Sequence, residues 1–133
     1  MFTNPYNTYQ RINKEQMSSR ELEASILNKA GAMLKRCQEH WNDTDRDARL
    51  DDALKFNQKI WSFFQAELID PENPLPMELK CSILNLSLFI DKSIYDIMAY
   101  PEADKLTPII DINLNLAAGL FARVDDTDVE KAA

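Results

Sequence analysis

Three aspartates at alternating positions are the one pattern in this sequence that is typical of metal binding. Asp43, Asp45 and Asp47 match the first three ligand positions of a calcium-binding loop. Such a loop also needs a glycine at its sixth position for the sharp turn and a glutamate at its twelfth as a bidentate ligand. This chain has Ala48 and Leu54 at those positions. The sequence therefore predicts no calcium site here, and we expect these acids to be solvated surface.

The residue types that most often perform catalysis are scarce. His40 is the only histidine, and Cys37 and Cys81 form no CxxC pair. One histidine with two distant cysteines does not make a zinc site, and no serine or cysteine nucleophile has an obvious base. The sequence also lacks the glycine-rich loops that bind phosphates. We therefore expect a protein that is not an enzyme and that needs neither a metal nor another cofactor.

Composition and charge limit the compartment and the partners. A chain of 133 residues with 45% hydrophobic residues is expected to form one domain with a real core. Its net charge of −7 disfavours binding to nucleic-acid phosphates or to anionic membranes. The sequence shows no signal peptide and no transmembrane run, and its two cysteines are typical of reduced thiols. We therefore expect a cytoplasmic protein that contacts neither nucleic acid nor membrane directly.

The elements that position these residues are predicted to be helices, since only two glycines are present and apolar residues recur three and four positions apart. Helix one is predicted over about Ser19 to Gln38. It follows a capping box in which Ser18 and Glu21 satisfy free backbone amides. Gly31 lies inside this helix, where either the close approach of a neighbouring helix or chance explains it.

Helix two is predicted to begin near Asp45 or Asp47 and to end at Ile69. Its apolar residues form two adjoining stripes, whereas a surface helix of a bundle usually needs one. Two explanations stay open: the helix is central in the bundle, or part of its aromatic surface is free for a partner. The first stripe contains Leu50, Leu54, Trp61, Phe64 and Leu68, and the second contains Phe56, Ile60 and Phe63.

A proline-rich corner separates helices two and three, since three of the six prolines fall between Pro71 and Pro76. Proline lacks an amide donor and fixes φ, so helix two must end before Pro71, and Pro76 suits the first turn of the next helix. Helix three is predicted from Pro76 or Met77 to about Tyr100. It has two apolar stripes, Leu79, Ile83, Leu86, Ile90, Ile94 and Ile97 in one, and Leu84, Leu88, Tyr95 and Met98 in the other.

Helix four is predicted over about Thr107 to Phe121. Short connections between the helices favour an all-α fold, a compact antiparallel bundle of about four helices over residues 18–122. Residues 1–17 are predicted as an N-terminal arm, and residues 123–133 as an acidic, flexible tail. The residues of helix four that are expected to face inward are Ile109, Ile112, Leu116 and Leu120.

Three groups of residues follow one another in a recognisable order along the chain. They are Arg20-Glu21-Leu22-Glu23-Ala24 with Leu27 and Ala30; Asn57, Trp61 and Leu68 leading into Asn73-Pro74-Leu75-Pro76 and Leu79; and Ile110-Asp111-Ile112-Asn113 with Asn115 and Ala117-Ala118-Gly119-Leu120. In this order and spacing they resemble the FlaF family of flagellar biosynthesis regulators, which are small helical proteins of flagellated bacteria. The resemblance covers residues 18 to 121. The tail after Arg123 and the two cysteines lie outside the family's pattern.

The resemblance implies a cytoplasmic factor that binds flagellin before export and that helps its secretion or regulates its synthesis. The helical termini of flagellin are the implied partner, and a second small flagellar regulator is a further candidate. Two alternatives stay open: a structural or adaptor subunit of another assembly, and an indirect post-transcriptional regulator. A helix-in-groove contact would use an aromatic, methionine-containing surface such as Trp61, Phe64 and Met98.

The predicted partner-binding surface centres on helix two and the proline corner. Trp61 and Phe64 either contact the partner or are ordinary core residues. Asn57 lies one turn before Trp61 on the same face, which is an unusual place for an amide. The N-terminal arm is either a frayed terminus or a docking segment. The candidate partner-binding residues are Tyr6, Tyr9, Asn57, Trp61, Phe64 and Leu75.

Two polar clusters have alternative roles. Arg20, Glu21 and Glu23 are either a charge cluster at the start of helix one or a polar rim of the binding surface. A cluster in helix four provides either local caps within that helix or part of the interface, because asparagine and aspartate compete well for nearby backbone groups. Its members are Asp111, Asn113 and Asn115.

Overall fold

Four α-helices account for most of the described chain. A computed structural model describes the backbone of residues 19–132 and the side chains of residues 19–120. The helices are α1 (Ser19–Glu39), α2 (Arg46–Ile69), α3 (Met77–Ala99) and α4 (Thr107–Ala132), and a short 3₁₀ helix spans Ala103–Leu106. No strand occurs in residues 19–132. The predicted all-α fold is therefore confirmed.

The predicted helix ends agree with the structure to within one residue, except at the end of α4. This helix continues to Ala132 rather than stopping near Phe121. The segment after Phe121 contains neither proline nor glycine, so nothing in it forces a helix to stop. The predicted acidic tail thus has a helical backbone up to Ala132. Ser18 of the predicted capping box, like Tyr6 and Tyr9, lies outside the described residues.

The helices form an antiparallel bundle in which α1 packs most extensively against α4. The C-terminal end of α1 lies beside the start of α4. There Gln38 Nε2 donates hydrogen bonds to the carbonyl oxygen of Ala103 at 2.9 Å and to Thr107 Oγ1 at 2.8 Å. Helix α2 packs against both α1 and α3, whereas α3 touches α4 only slightly. Helix α3 is therefore the helix that the bundle covers least.

The core is formed by the predicted apolar stripes, except along one side of α3 and at Phe63 of α2, which is 38% exposed. Ile90 and Ile94 of its first stripe are completely buried, whereas Leu88 and Tyr95 of its second stripe are exposed. In α4, Ile109 is buried, and Ile112, Leu116 and Leu120 are partly buried against the core. Other buried core residues are Leu22, Ile26, Leu27, Leu34, Leu50, Leu54, Ile60, Trp61, Leu106, Ile110 and Ala117.

Helices α1 and α4 approach each other closely at Gly31. A Cβ atom placed on this residue would lie 3.0 Å from Leu114 Cδ2, 3.2 Å from Leu114 Cγ and 3.5 Å from Asn113 Cβ. Contacts this short are rare, so an alanine here would force Leu114 to move. Close approach, one of the two explanations for this glycine, is therefore confirmed. At Gly119 of α4, a Cβ atom would meet nothing within 4 Å among the described neighbours.

The two glycines give a matched pair of substitutions. Gly119→Ala is expected to raise the free energy of unfolding by up to about 1 kcal/mol, because alanine favours the helix and the site has room. Gly31→Ala should gain less or lose stability, since crowding against Leu114 opposes the same helical preference. Urea unfolding followed by circular dichroism measures both. Equal gains from the two substitutions would show that the α1–α4 contact is not tight at Gly31.

Candidate functional site

A buried network of side-chain amides joins three of the four helices. Asn113 Nδ2 of α4 donates a 2.6 Å hydrogen bond to Asn57 Oδ1 of α2, and Trp61 Nε1 donates a 2.9 Å bond to Asn113 Oδ1. Asn57 Nδ2 donates to the carbonyl oxygens of Ala53, at 2.8 Å, and of Ala30 in α1, at 3.2 Å. The side chains of both asparagines and of the tryptophan are completely buried. This set is termed the amide network below.

Burial in the amide network bears on whether Asn57 and Trp61 are core or interface residues. Both are 0% exposed, so in this structure neither presents a surface that a partner can touch. Their burial favours the core explanation. The ring of Phe64 meets that of Trp61 edge to face, with 5.8 Å between the ring centroids. Phe64 is 9% exposed.

Asn113 differs from its neighbours in the polar cluster of α4. Its amide bonds two side chains of α2 across the bundle, so Asn113 is not a local cap of α4, which was one of the two alternatives for this cluster. Asp111 and Asn115 are exposed. The difference follows from helix geometry, because a residue two positions further along lies about 200° further around the helix. Asn113 therefore faces α2 while Asn115 faces away from it.

Asn113→Ala is expected to lower the free energy of unfolding by about 3 kcal/mol. The substitution leaves the Trp61 N–H and the Asn57 oxygen without these partners inside the protein, and each such group costs about 1–3 kcal/mol. Chemical denaturation measures the change. Asn115→Ala removes an exposed amide from the same helix and should alter stability by less than about 0.5 kcal/mol. If both substitutions have the same effect, the network does not hold the bundle together.

Side-chain hydrogen bonds fix the proline corner between α2 and α3. Asp70 Oδ1 accepts from the backbone amide of Glu72 at 2.9 Å, and Asn73 Oδ1 accepts from the amide of Leu75 at 3.0 Å. Asn73 Nδ2 donates to the carbonyl oxygen of Glu67, near the end of α2, at 3.0 Å. These Asx turns satisfy backbone groups that have no partner within a helix. The corner therefore holds Leu75 in a defined position.

A groove of about 660 Å³ opens beside the proline corner. All four helices contribute to it: the beginnings of α1 and α3, the end of α2, and the part of α4 around Gly119. A concave, mainly apolar surface of this size is typical of a binding site. It is termed the corner groove below. Its apolar lining consists of Leu27, Phe64, Leu68, Pro74, Leu75, Leu79, Ile83, Leu116 and Leu120.

The corner groove brings together Phe64 and Leu75 of the candidate partner-binding residues. Asn57 and Trp61 lie instead within the core. The sequence did not indicate that α3 and α4 would supply walls of the same groove. One signal was available, because Leu79 and Leu120 stand in the motif groups that resemble the FlaF family.

Acidic side chains line the edge of the corner groove, with Arg20 as the one basic residue of its described lining. The pKa of Glu23 is raised from 4.5 to about 7. Burial is the largest cause, followed by the charge of Glu67 and a hydrogen bond with Glu67, whereas the charge of Arg20 lowers the pKa. Arg20 and Glu23 of the predicted charge cluster thus line the groove, and Glu21 is not part of that described lining. The acids of the lining are Glu23, Glu67, Asp70 and Glu72.

The raised pKa of Glu23 makes stability depend on pH. The folded chain holds this proton up to about pH 7 and the unfolded chain releases it near pH 4.5, so the stabilising contribution is lost as pH rises through that range. Glu23→Gln stays neutral and should gain stability over the wild type between pH 4.5 and 7.5. With allowance for solvent screening, the gain is on the order of 1 kcal/mol.

Thermal unfolding of both proteins at several pH values measures this gain. Glu39→Gln removes a carboxylate from the exposed end of α1 and is the control. The same pH dependence in both variants would contradict a special environment for Glu23.

The aspartates that imitate a calcium loop are engaged with arginines. Arg49 Nη2 lies 2.7 Å from Asp45 Oδ2, and Arg46 Nε lies 2.8 Å from Asp47 Oδ1. Among the side chains that the structure describes, no three histidines, cysteines or acids are grouped as a metal site would need. In the same part of the chain, no helix is both long and apolar enough to cross a membrane.

The bundle and its groove define a class of molecule: a small all-α protein whose candidate site is an apolar surface with an acidic edge. A family model described as flagellar protein FlaF matches residues 5–120. That match spans most of the sequence, and the chain therefore belongs to the FlaF family of flagellar proteins. No curated protein and no solved structure matches it. The family resemblance that the sequence motifs indicated is thus confirmed.

Proposed function

We propose that this protein binds a helical terminus of flagellin in the cytoplasm before export, as a non-enzymatic secretion chaperone or regulator. Membership of a flagellar family supports a role in this system. Flagellin buries its terminal helices in the filament core, so their apolar faces need cover before assembly. The corner groove is the observation that supports this partner most directly.

The corner groove has the properties that a helix-in-groove contact requires. Its walls are apolar side chains of different helices, such as Leu68 of α2, Leu79 of α3 and Leu120 of α4. Each leucine-sized side chain that a partner helix buries there contributes about 1.5–3 kcal/mol on leaving water. The acidic edge favours an amphipathic helix with basic residues beside its apolar face. The same edge disfavours nucleic acid.

The buried aromatic residues support the groove rather than contact the partner in this proposal. Trp61 packs against Phe64, and the amide network holds Trp61. On the opposite side, the Asx turn at Asn73 holds Leu75. A groove that is formed before binding loses little conformational freedom on binding, which favours affinity.

Leu75→Asp is expected to weaken flagellin binding by at least about 30-fold, which corresponds to about 2 kcal/mol. The substitution places a charge in the apolar wall at a residue that is only half-buried, so the fold should persist. Isothermal titration calorimetry with purified flagellin measures the affinity. Separate titrations with peptides of its N-terminal and C-terminal helices show which end is bound.

Tyr100→Asp is the matched control for this experiment. It introduces the same charge at an exposed residue that follows the far end of α3, and it should leave the affinity within about twofold of wild type. Normal binding by Leu75→Asp would place the site away from the corner groove. If wild type binds neither flagellin nor its helical peptides, the proposed function itself is wrong.

A further inference from the structure

One side of α3 has large apolar residues that the bundle does not cover. Among the described residues, five of the eight exposed large hydrophobic side chains belong to this helix. Exposed apolar surface that is concentrated in one place usually marks an interaction site, whereas scattered exposure does not. The five residues are Met77, Leu88, Phe89, Tyr95 and Met98.

Most of these residues form a regular seam. The seam begins at Met77, ends at Met98 and advances by alternating steps of four and three residues. This spacing, about 3.5 residues on average, is that of the a and d positions of a coiled coil. The first stripe of α3, with the buried Ile90 and Ile94, faces the core on another side of the helix. The seam consists of Met77, Cys81, Leu84, Leu88, Asp91, Tyr95 and Met98.

Most of the seam is accessible, and only Leu84 and Asp91 among its members are half-buried. Met77 is 71% exposed, and Leu88 and Tyr95 are each 63% exposed. Cys81 is also exposed. The one charged member is Asp91, whose Oδ2 accepts a 2.9 Å hydrogen bond from Gln65 Nε2 of α2. A narrow a/d seam of this kind suits one further helix rather than a flat surface.

The two flanks of the seam differ. Glu78, Asn85 and Lys92 follow one another at seven-residue intervals along the outer flank, and all three are exposed. On the inner flank, Ser87 and Ile94 are completely buried in the bundle. Lys80, which begins the same inner flank, is half-buried. A helix that packs on the seam therefore meets polar groups mainly along the outer flank.

We propose that α3 pairs with α3 of a second copy of this chain as an antiparallel two-stranded coiled coil. Antiparallel pairing about a twofold axis sets the outer flanks against each other. In the register that packs Leu84 against Leu88 of the second copy, Glu78 faces Lys92 of the second copy, and the reverse pair forms symmetrically. Parallel pairing would set each outer flank against a buried inner flank. The charge pattern therefore fits a second copy in the antiparallel sense.

The self-pairing is independent of flagellin binding. Leu79 and Ile83, the α3 residues that line the corner groove, belong to the first stripe and not to the seam. Two paired copies would thus keep both grooves open. Failure of one proposal leaves the other standing.

Charge exchange at the flank tests the pairing. Glu78→Lys alone and Lys92→Glu alone each set like charges against each other twice in a pair, so each should dissociate about five- to tenfold more readily at low salt. The two single variants mixed in equal amounts should associate with each other as tightly as wild type, and the double variant should regain self-association. Sedimentation equilibrium measures all four. Circular dichroism verifies that each variant is folded.

A second substitution tests the apolar seam. Leu88→Asp should raise the dissociation constant of the pair by at least about 30-fold. Ile69→Asp introduces the same charge at an exposed apolar residue outside α3 and should leave the pair intact. If the wild type stays monomeric, the proposal is wrong. The same conclusion holds if residues 1–18 or a flagellin helix is found to cover the seam instead of a second copy. A dimer that resists both Leu88→Asp and the single charge reversals overturns it as well, because another face would then hold the copies together.

Discussion

The amide network is the constraint on which the rest of this structure depends. Two asparagines and a tryptophan place several polar groups in a space that is otherwise apolar, and each group finds its partner in another turn or another helix. Apolar side chains tolerate small slips between helices, but buried amides do not, because a slip leaves donors and acceptors unpaired. The network therefore fixes the relative position of α1, α2 and α4.

Helix α3 stands outside this network, and both candidate surfaces involve it. It is held to the bundle by aliphatic side chains and by the hydrogen bond from Gln65 to Asp91. One side of α3 completes the corner groove, and another side remains open as the apolar seam. Helices α1, α2 and α4 thus form the rigid part of the bundle. Helix α3, which the bundle covers least, contributes to both surfaces that are open to other chains.

Much of the fold could be predicted from the sequence, because helices and prolines act over short distances. The spacing of apolar residues and the prolines at 71–76 set the helix ends almost to the residue. The pairing of Asn57 with Asn113 could not be predicted, since it joins residues 56 positions apart and depends on how two helices rotate. The same holds for Trp61, whose type fits both a core and an interface. The corner groove depends on all four helices and so appears only in three dimensions.

The extensive contact between α1 and α4 also bears on when the chain can fold during synthesis. The first described helix, α1, packs mainly against the last described helix, α4. The side chain of Asn57 likewise has no hydrogen bond from Asn113 until α4 has been synthesised. Until the ribosome has released most of α4, the inner faces of α1 and α2 stay exposed and their buried amides lack partners. Pairings that are distant in the sequence close late, and unclosed cores attract chaperones and proteases. The protein is thus expected to complete its core only after α4 has left the ribosome, and a chain that ends before α4 is expected not to fold.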